Sequence, residues 1–246
     1  MIVRGFTHPN QLTTMRGGEA MSAAEVQKFV ANPLGYVKTT CINLQTKSGA
    51  PSTTFNANLA YDTLYFDLAP WSSGFGATTQ VTLEPQTAGG PNLIAGYYVP
   101  YLAFGTVTSN NQALAPLDNV PKNNPPRKFI FTGGQNGCSL LLLRGTGADT
   151  VCALHYPNSE GKKQGYPLLE RIGRTAGDVL LSIDFDLYGD TNNPNAASFL
   201  WHNGTEWIGV TQPQVQGPAN IQKGRPSMSL NGSPKMVSSK AVGTIP

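Results

Sequence analysis

The sequence predicts a β-rich α+β protein, in which two packed sheets of mostly antiparallel or mixed strands form a β-sandwich core with a flanking helix and long loops. Its 246 residues are enough to bury a sizeable core within one large domain. Only 13% of them are charged, and 27 glycines and 19 prolines are typical of short strands joined by turns. About ten segments have strand character, whereas one segment has clear helical spacing.

The predicted helix lies near the amino terminus. Ser22 and Glu25 have the spacing of a capping box, so the helix is expected to begin at Ser22. The pair Asn32-Pro33 is expected to end it. The apolar positions that follow the cap at roughly helical spacing are Ala24, Val26, Phe29 and Val30.

The first half of the predicted sheets comes from segments rich in β-branched and aromatic residues. A polar, proline-rich stretch, 109–127, follows them and is predicted to be a long loop. The predicted strands before this loop are 36–44, 53–60, 63–68, 78–83 and 93–106.

The second half contains the clearest hairpin signal, Asn203-Gly204, between two further strands. In the segment 178–187, polar and apolar residues alternate, which places Asp184 and Asp186 on a polar face. We expect one β-rich catalytic domain over 1–217, and a tail over 218–246 whose low hydrophobicity favours flexibility. The predicted strands after the loop are 128–132, 139–144, 150–155, 178–187, 198–202 and 205–210.

Charge and hydropathy exclude several classes of partner. The net charge is +3 and no run of Lys or Arg occurs, so a nucleic-acid partner is not expected. No apolar run approaches the roughly 20 residues that a membrane helix needs. The amino terminus lacks the apolar segment of a signal peptide. The predicted location is therefore the cytoplasm, or a target cell reached by a route without such a peptide.

Cysteine and histidine usage favours thiol chemistry over disulfides or metals. Three cysteines, Cys41, Cys138 and Cys152, make no disulfide framework. No zinc-binding spacing occurs, so neither a metal nor another cofactor is predicted. Cys41 and Cys152 lie within apolar strands and are predicted to be core residues.

The chemistry is predicted to lie in 129–158, where two strands form a hairpin. With the turn centred near Gly147, residue 144 would pair with 150, and Cys138 would begin one strand beside His155 at the end of the other. A one-residue change of register would place the two side chains opposite each other, within reach of a thiol–imidazole contact. An imidazolium there would favour the nucleophilic thiolate.

A glycine-rich turn precedes Cys138. Gly133, Gly134 and Gly137 allow backbone amides to approach a ligand closely, as an oxyanion hole for acyl transfer requires. A phosphate-binding loop is the rival interpretation, but the Lys-Ser/Thr pair of a P-loop is absent. An ordinary hairpin with a tight turn would also produce this pattern.

These residues resemble the cysteine-dependent glutamine deamidases, a superfamily that includes the catalytic domain of cytotoxic necrotizing factor, Burkholderia lethal factor and the chemoreceptor deamidase of bacterial chemotaxis. Its pattern is a Cys at a strand start, an apolar strand, a turn, and an apolar strand ending in His. In two of these groups a Thr precedes the Cys at the spacing of Thr132 and Cys138 here, six residues. The toxins carry Leu-Ser-Gly-Cys, whereas this chain has Gln-Asn-Gly-Cys at 135–138.

The resemblance implies a mechanism and a substrate class. Cys138 would attack the carboxamide of a protein glutamine, His155 would transfer protons, and Thr132 would orient His155. The product would be glutamate, or a transamidated side chain if an amine replaced water. The partner would be a protein with an exposed glutamine, and the source a bacterial toxin or effector. The residues alone also allow another thiol hydrolase, such as a peptidase, or a non-catalytic binding or structural module.

Overall fold

The computed structural model describes residues 17–43, 64–71, 79–86, 89–100, 114–220 and 225–239. The predicted strand 53–60 lies outside these residues. The described helices are α1 (Gly17–Ala31), α2 (Pro33–Thr39) and the single turn α3 (Phe185–Tyr188), with 3-10 helices at Pro167–Ile172 and Ala176–Asp178. The described strands are β1 (Thr40–Asn43), β2 (Leu64–Trp71), β3 (Thr79–Gln86), β4 (Ile94–Tyr98), β5 (Leu117–Pro121), β6 (Phe129–Phe131), β7 (Gln135–Asn136), β8 (Ser139–Arg144), β9 (Thr150–Tyr156), β10 (Val179–Ile183), β11 (Asn195–His202), β12 (Trp207–Asn220), β13 (Arg225–Leu230) and β14 (Lys235–Ser238).

The described strands form two sheets that pack together, which confirms the predicted fold class. The larger sheet has the order β1-β3-β2-β4-β6-β11-β12-β13, with β7 paired to β11 and β14 paired to β12. Its pairs are antiparallel except β1–β3 and β4–β6, which are parallel. The smaller sheet has the order β10-β8-β9-β5 and is antiparallel throughout.

Apolar side chains fill the space between the two sheets and also cover each outer face. Ile130 and Leu200 from the larger sheet meet Leu140 and Ala153 from the smaller sheet in the central layer. On the far side of the larger sheet, Phe29 of α1 packs in an aromatic cluster. Leucines of β8 and β9 and Leu169 of a 3-10 helix cover the far side of the smaller sheet. A functional side chain in the central layer is therefore shielded from solvent by both sheets.

The amino-terminal helix begins earlier than the capping box predicts. Ser22 lies inside α1, is buried, and donates its hydroxyl hydrogen to the Asp67 carboxylate, so it does not cap the helix. Asn32 does end α1 as predicted, but its side chain also accepts the Gly35 N–H at 2.9 Å and so caps α2. The described part of the predicted strand 36–44 is a strand only over β1, and the residues before β1 belong to α2. An Asn-Pro pair can begin a helix as readily as it can end one.

Three further predictions are corrected. The predicted loop 109–127 contains β5, whose Leu117 and Val120 are buried. The predicted strand 178–187 ends at Ile183, and α3 follows. The predicted boundary at 217 falls inside β12, and β13 and β14 pair with that strand within the predicted tail. Strands at the edge of a sheet can be polar because backbone hydrogen bonds hold them in place. The low hydrophobicity of 218–246 therefore does not exclude the strands β13 and β14. Among the described residues, no helix is both long and apolar enough to cross a membrane.

Candidate active site

The hairpin of β8 and β9 positions the candidate nucleophile and base. Arg144 pairs with Val151, rather than with residue 150 as predicted, because Gly145 donates its N–H to Thr150 O at 3.0 Å and closes a turn that is one residue longer. Leu140 therefore lies opposite His155. Cys138 directly precedes β8, and the same register extended by one residue would place it diagonal to His155, at about 7–8 Å between Cα atoms for such a pair.

The face of β9 that carries His155 points into the layer between the two sheets. Val151 and Ala153, which alternate with His155, belong to the central apolar cluster, whereas Cys152 and Leu154 pack on the far side. The predicted division of β9 into two faces is correct. His155 and Cys138 are both fully buried.

Thr132 joins His155 to the larger sheet and determines which ring nitrogen carries the hydrogen. Its hydroxyl donates to the carbonyl oxygen of Val99 at 3.0 Å. The Thr132 oxygen also lies 2.8 Å from His155 Nδ1. A hydroxyl has one hydrogen, so in this contact Nδ1–H must donate to Thr132. The Nε2 atom of neutral His155 therefore carries the lone pair, as a general base requires.

Burial lowers the pKa of His155 to about 3, because desolvation disfavours the imidazolium. His155 is therefore neutral near pH 7, and no standing imidazolium is available to stabilise a thiolate. This corrects the expected resting ion pair. The Cys138 thiol instead has a weak hydrogen bond to the carbonyl oxygen of Asn136, at an Sγ–O distance of 3.9 Å.

The backbone around Cys138 is held by Tyr188, which the sequence analysis did not single out. The Cys138 N–H donates to the Tyr188 hydroxyl oxygen at 2.9 Å, and that hydroxyl donates to Cys138 O at 2.7 Å. The backbone of Gly137 also hydrogen-bonds to this hydroxyl. Burial raises the pKa of Tyr188, so the phenol keeps its proton. Fifty residues of chain separate the partners, and no local sequence pattern indicates the contact.

The three glycines of the turn occupy different environments. Gly137 has a φ of +74°, a left-handed conformation that favours glycine, and it directly precedes Cys138. Gly133 is buried in the connection between β6 and β7. Gly134 is exposed there, and the carbonyl oxygen of Ala196 lies 4.0 Å from where its Cβ would be. Of these three glycines, Gly137 is the one whose backbone hydrogen-bonds to the Tyr188 hydroxyl, as the Cys138 backbone also does.

A buried polar network supports the residue after the nucleophile. Ser139 donates its hydroxyl hydrogen to Asp184 at 2.9 Å, and Tyr166 donates to the same carboxylate oxygen at 2.8 Å. Lys162 Nζ lies 3.9 Å from the other oxygen. Asp184 is only 3% exposed, so the polar face predicted for it is wrong. Asp184 directly precedes α3, and the network therefore connects the start of β8 to the turn that carries Tyr188.

The other two cysteines are poor nucleophiles. Burial raises the pKa of Cys41 to about 12 and that of Cys152 to about 12. Both are fully buried, in agreement with their predicted place in the core. Within the described part of the chain, no three His, Cys, Asp or Glu side chains cluster closely enough to hold a metal ion.

No protein-family model matches this chain, and no curated protein matches it. The resemblance to glutamine deamidases therefore depends on the residues of 129–158 and on the geometry that these residues adopt.

Proposed function

We propose that the protein is a cysteine-dependent protein glutamine deamidase. The observation that carries the proposal is the contact of Thr132 with His155, which leaves the lone pair on Nε2 of a buried imidazole in β9, and Cys138 directly precedes the strand that pairs with β9. A nucleophile, a base and a group that orients the base are the parts of a triad. The order of Thr132, Cys138 and His155 is also that of two groups within the superfamily that these residues resemble.

The first half of the reaction would form a thioester. Cys138 Sγ attacks the carboxamide carbon of a glutamine side chain while its proton passes to His155 Nε2. The carbonyl oxygen becomes an oxyanion, which the backbone amides of Gly137 and Cys138 are placed to stabilise. The C–N bond then breaks, and the nitrogen takes the proton from His155 and leaves as ammonia.

The second half would regenerate the thiol. Water attacks the thioester carbon and gives a proton to His155 Nε2. The C–S bond breaks, the proton returns to the sulfur, and a glutamate side chain is released. Thr132 accepts the Nδ1–H bond in both halves and stabilises the transient imidazolium. An amine in place of water would give a transamidated glutamine. The protein's own residues suffice for these steps.

The biological setting belongs to the same proposal. A change from Gln to Glu adds a negative charge to the target, which is enough to disable a switch or an enzyme. The resembling toxins suggest that this chain is a bacterial effector that acts on a protein inside a host or rival cell.

The proposal is tested by adding the full chain to a cell lysate and measuring Gln-to-Glu conversion by peptide mass spectrometry. The Cys138→Ser variant should lose the conversion and keep the fold, because Ser and Cys are nearly isosteric. The Cys152→Ser variant is the matched control and should retain activity if it folds. Conversion equal to the Cys138→Ser background would contradict the deamidase, and peptide-bond cleavage in its place would indicate a peptidase.

A further inference from the structure

The described conformation closes the candidate site to any substrate. Cys138 and His155 have no exposed surface, and Tyr188, whose hydroxyl binds the Cys138 backbone, is 3% exposed. A glutamine side chain of another protein must nevertheless reach Cys138 Sγ for the proposed reaction. Some of the residues that bury Cys138 must therefore move before acylation.

The Tyr188 hydroxyl holds the backbone amides beside the candidate nucleophile. It accepts the Cys138 N–H at 2.9 Å, it hydrogen-bonds to the Gly137 backbone, and it donates to Cys138 O at 2.7 Å. An oxyanion hole is likewise built from backbone N–H groups beside the nucleophile that converge on one oxygen. These amides cannot serve a substrate oxygen while the phenol holds them.

Tyr188 also forms the wall of a cavity that opens to solvent. The cavity has a volume of about 220 Å³ and lies between α3 and the β13–β14 connection. Tyr188 is the last residue of α3, which is a single turn, and Gly189 follows it directly. Other residues that line the cavity are Asp186, Asp190, Pro213, Asn231 and Lys235. Rotation of the Tyr188 side chain would connect this cavity with the Cys138 backbone.

We infer that Tyr188 gates the site: its hydroxyl holds the backbone beside Cys138 in the closed state, and the cavity is the entrance for a carboxamide side chain that takes over these hydrogen bonds. This inference rests on the proposed function for the identity of the ligand. The gate itself concerns access to Cys138 and is testable without a substrate. The chemical class that fits is a primary carboxamide, since its oxygen can accept the Cys138 N–H and its NH2 group can donate to Cys138 O, the two bonds that the Tyr188 hydroxyl makes.

The test is the rate of Cys138 alkylation by iodoacetamide in the full chain and in Tyr188→Phe. Phe keeps the ring, whose edge-on packing on Phe185 has a centroid distance of 5.6 Å, but it removes the hydroxyl. Loss of two or three hydrogen bonds should raise the open population, and with it the alkylation rate of Cys138, about ten- to a hundredfold. The amide hydrogens of Gly137 and Cys138 should also exchange faster with solvent.

Tyr156→Phe is the matched control. Tyr156 is a buried tyrosine whose hydroxyl accepts the Leu168 N–H at 3.1 Å on the far side of the smaller sheet. Its loss should leave the Cys138 rate unchanged. A folded Tyr188→Phe variant in which Cys138 reacts at the wild-type rate would overturn the gate. Equal acceleration at Cys152 would also overturn it, because that would indicate general unfolding.

The two proposals fail in different ways. If Tyr188→Phe accelerates Cys138 alkylation but no lysate protein is deamidated, the gate stands and the deamidase does not. If deamidation depends on Cys138 but Tyr188→Phe changes neither alkylation nor the rate of conversion, the deamidase stands and the gate does not.

Discussion

Replacement of Thr132 by Val should both destabilise the protein and impair the candidate site. Val is close to Thr in shape, so the substitution leaves no cavity and removes only the hydroxyl. That hydroxyl has two partners, Val99 O at 3.0 Å and His155 Nδ1 at 2.8 Å, and Thr132 is only 2% exposed. Each buried group that loses its partner costs about 1–3 kcal/mol, so we expect a loss of about 2–6 kcal/mol in the free energy of unfolding.

Urea denaturation of the wild type, Thr132→Val and Thr132→Ser measures this loss. Thr132→Ser keeps the hydroxyl and should recover most of the stability. Thr211→Val is a control of the same kind, because Thr211 is buried and its hydroxyl accepts that of Ser198 at 2.8 Å within the larger sheet. It should destabilise the fold without changing Cys138 alkylation, whereas Thr132→Val should change both. A Thr132→Val variant within about 0.5 kcal/mol of wild type would refute the reasoning.

Two further predictions concern His155 and Gly137. Because the pKa of His155 is about 3 in the folded chain against 6.5 for an unperturbed histidine, the unfolded chain binds more protons between these values, and the free energy of unfolding must fall as the pH is lowered through this range. The loss between pH 7 and pH 5 should be about 2 kcal/mol greater than in His155→Asn, measured by urea titration, and parallel curves would contradict the burial of a neutral imidazole. Gly137→Ala should cost about 1–2 kcal/mol through its φ of +74°, since the new Cβ would meet only Ser159 at 3.8 Å. Gly177→Ala, which has no left-handed φ, should be close to neutral in the same thermal melt, and equal effects of the two would contradict the strain.

The residues of the hairpin could be chosen from sequence because their pattern is local. Alternation along β9 separates His155 from Cys152, and the glycine-rich turn identifies the start of β8. The register could not be predicted, because it depends on whether the turn closes at Gly145 and Thr150 or one residue away. The observed register moves Cys138 one residue further from the position opposite His155 than the predicted register does.

The parts of the site that sequence did not reveal come from distant segments. Tyr188 lies fifty residues from Cys138, and its role follows from the fold rather than from any spacing. The same is true of Asp184, which alternation placed on a polar face and which the structure buries against Ser139 and Tyr166. A strand pattern cannot show that its polar residues face a second layer, because burial of a polar group depends on partners supplied by other segments.

The central claim, that His155 activates Cys138, is tested most directly by the alkylation rate of each cysteine in the wild type and in His155→Asn. Asn can still donate to Thr132 but cannot accept the thiol proton, so the fold is retained and the base is lost. Peptide mass spectrometry at neutral pH should show Cys138 reacting faster than Cys41 and Cys152, and about tenfold or more slower in His155→Asn. Equal rates of Cys138 labelling in the two proteins, with the fold intact, would contradict the account.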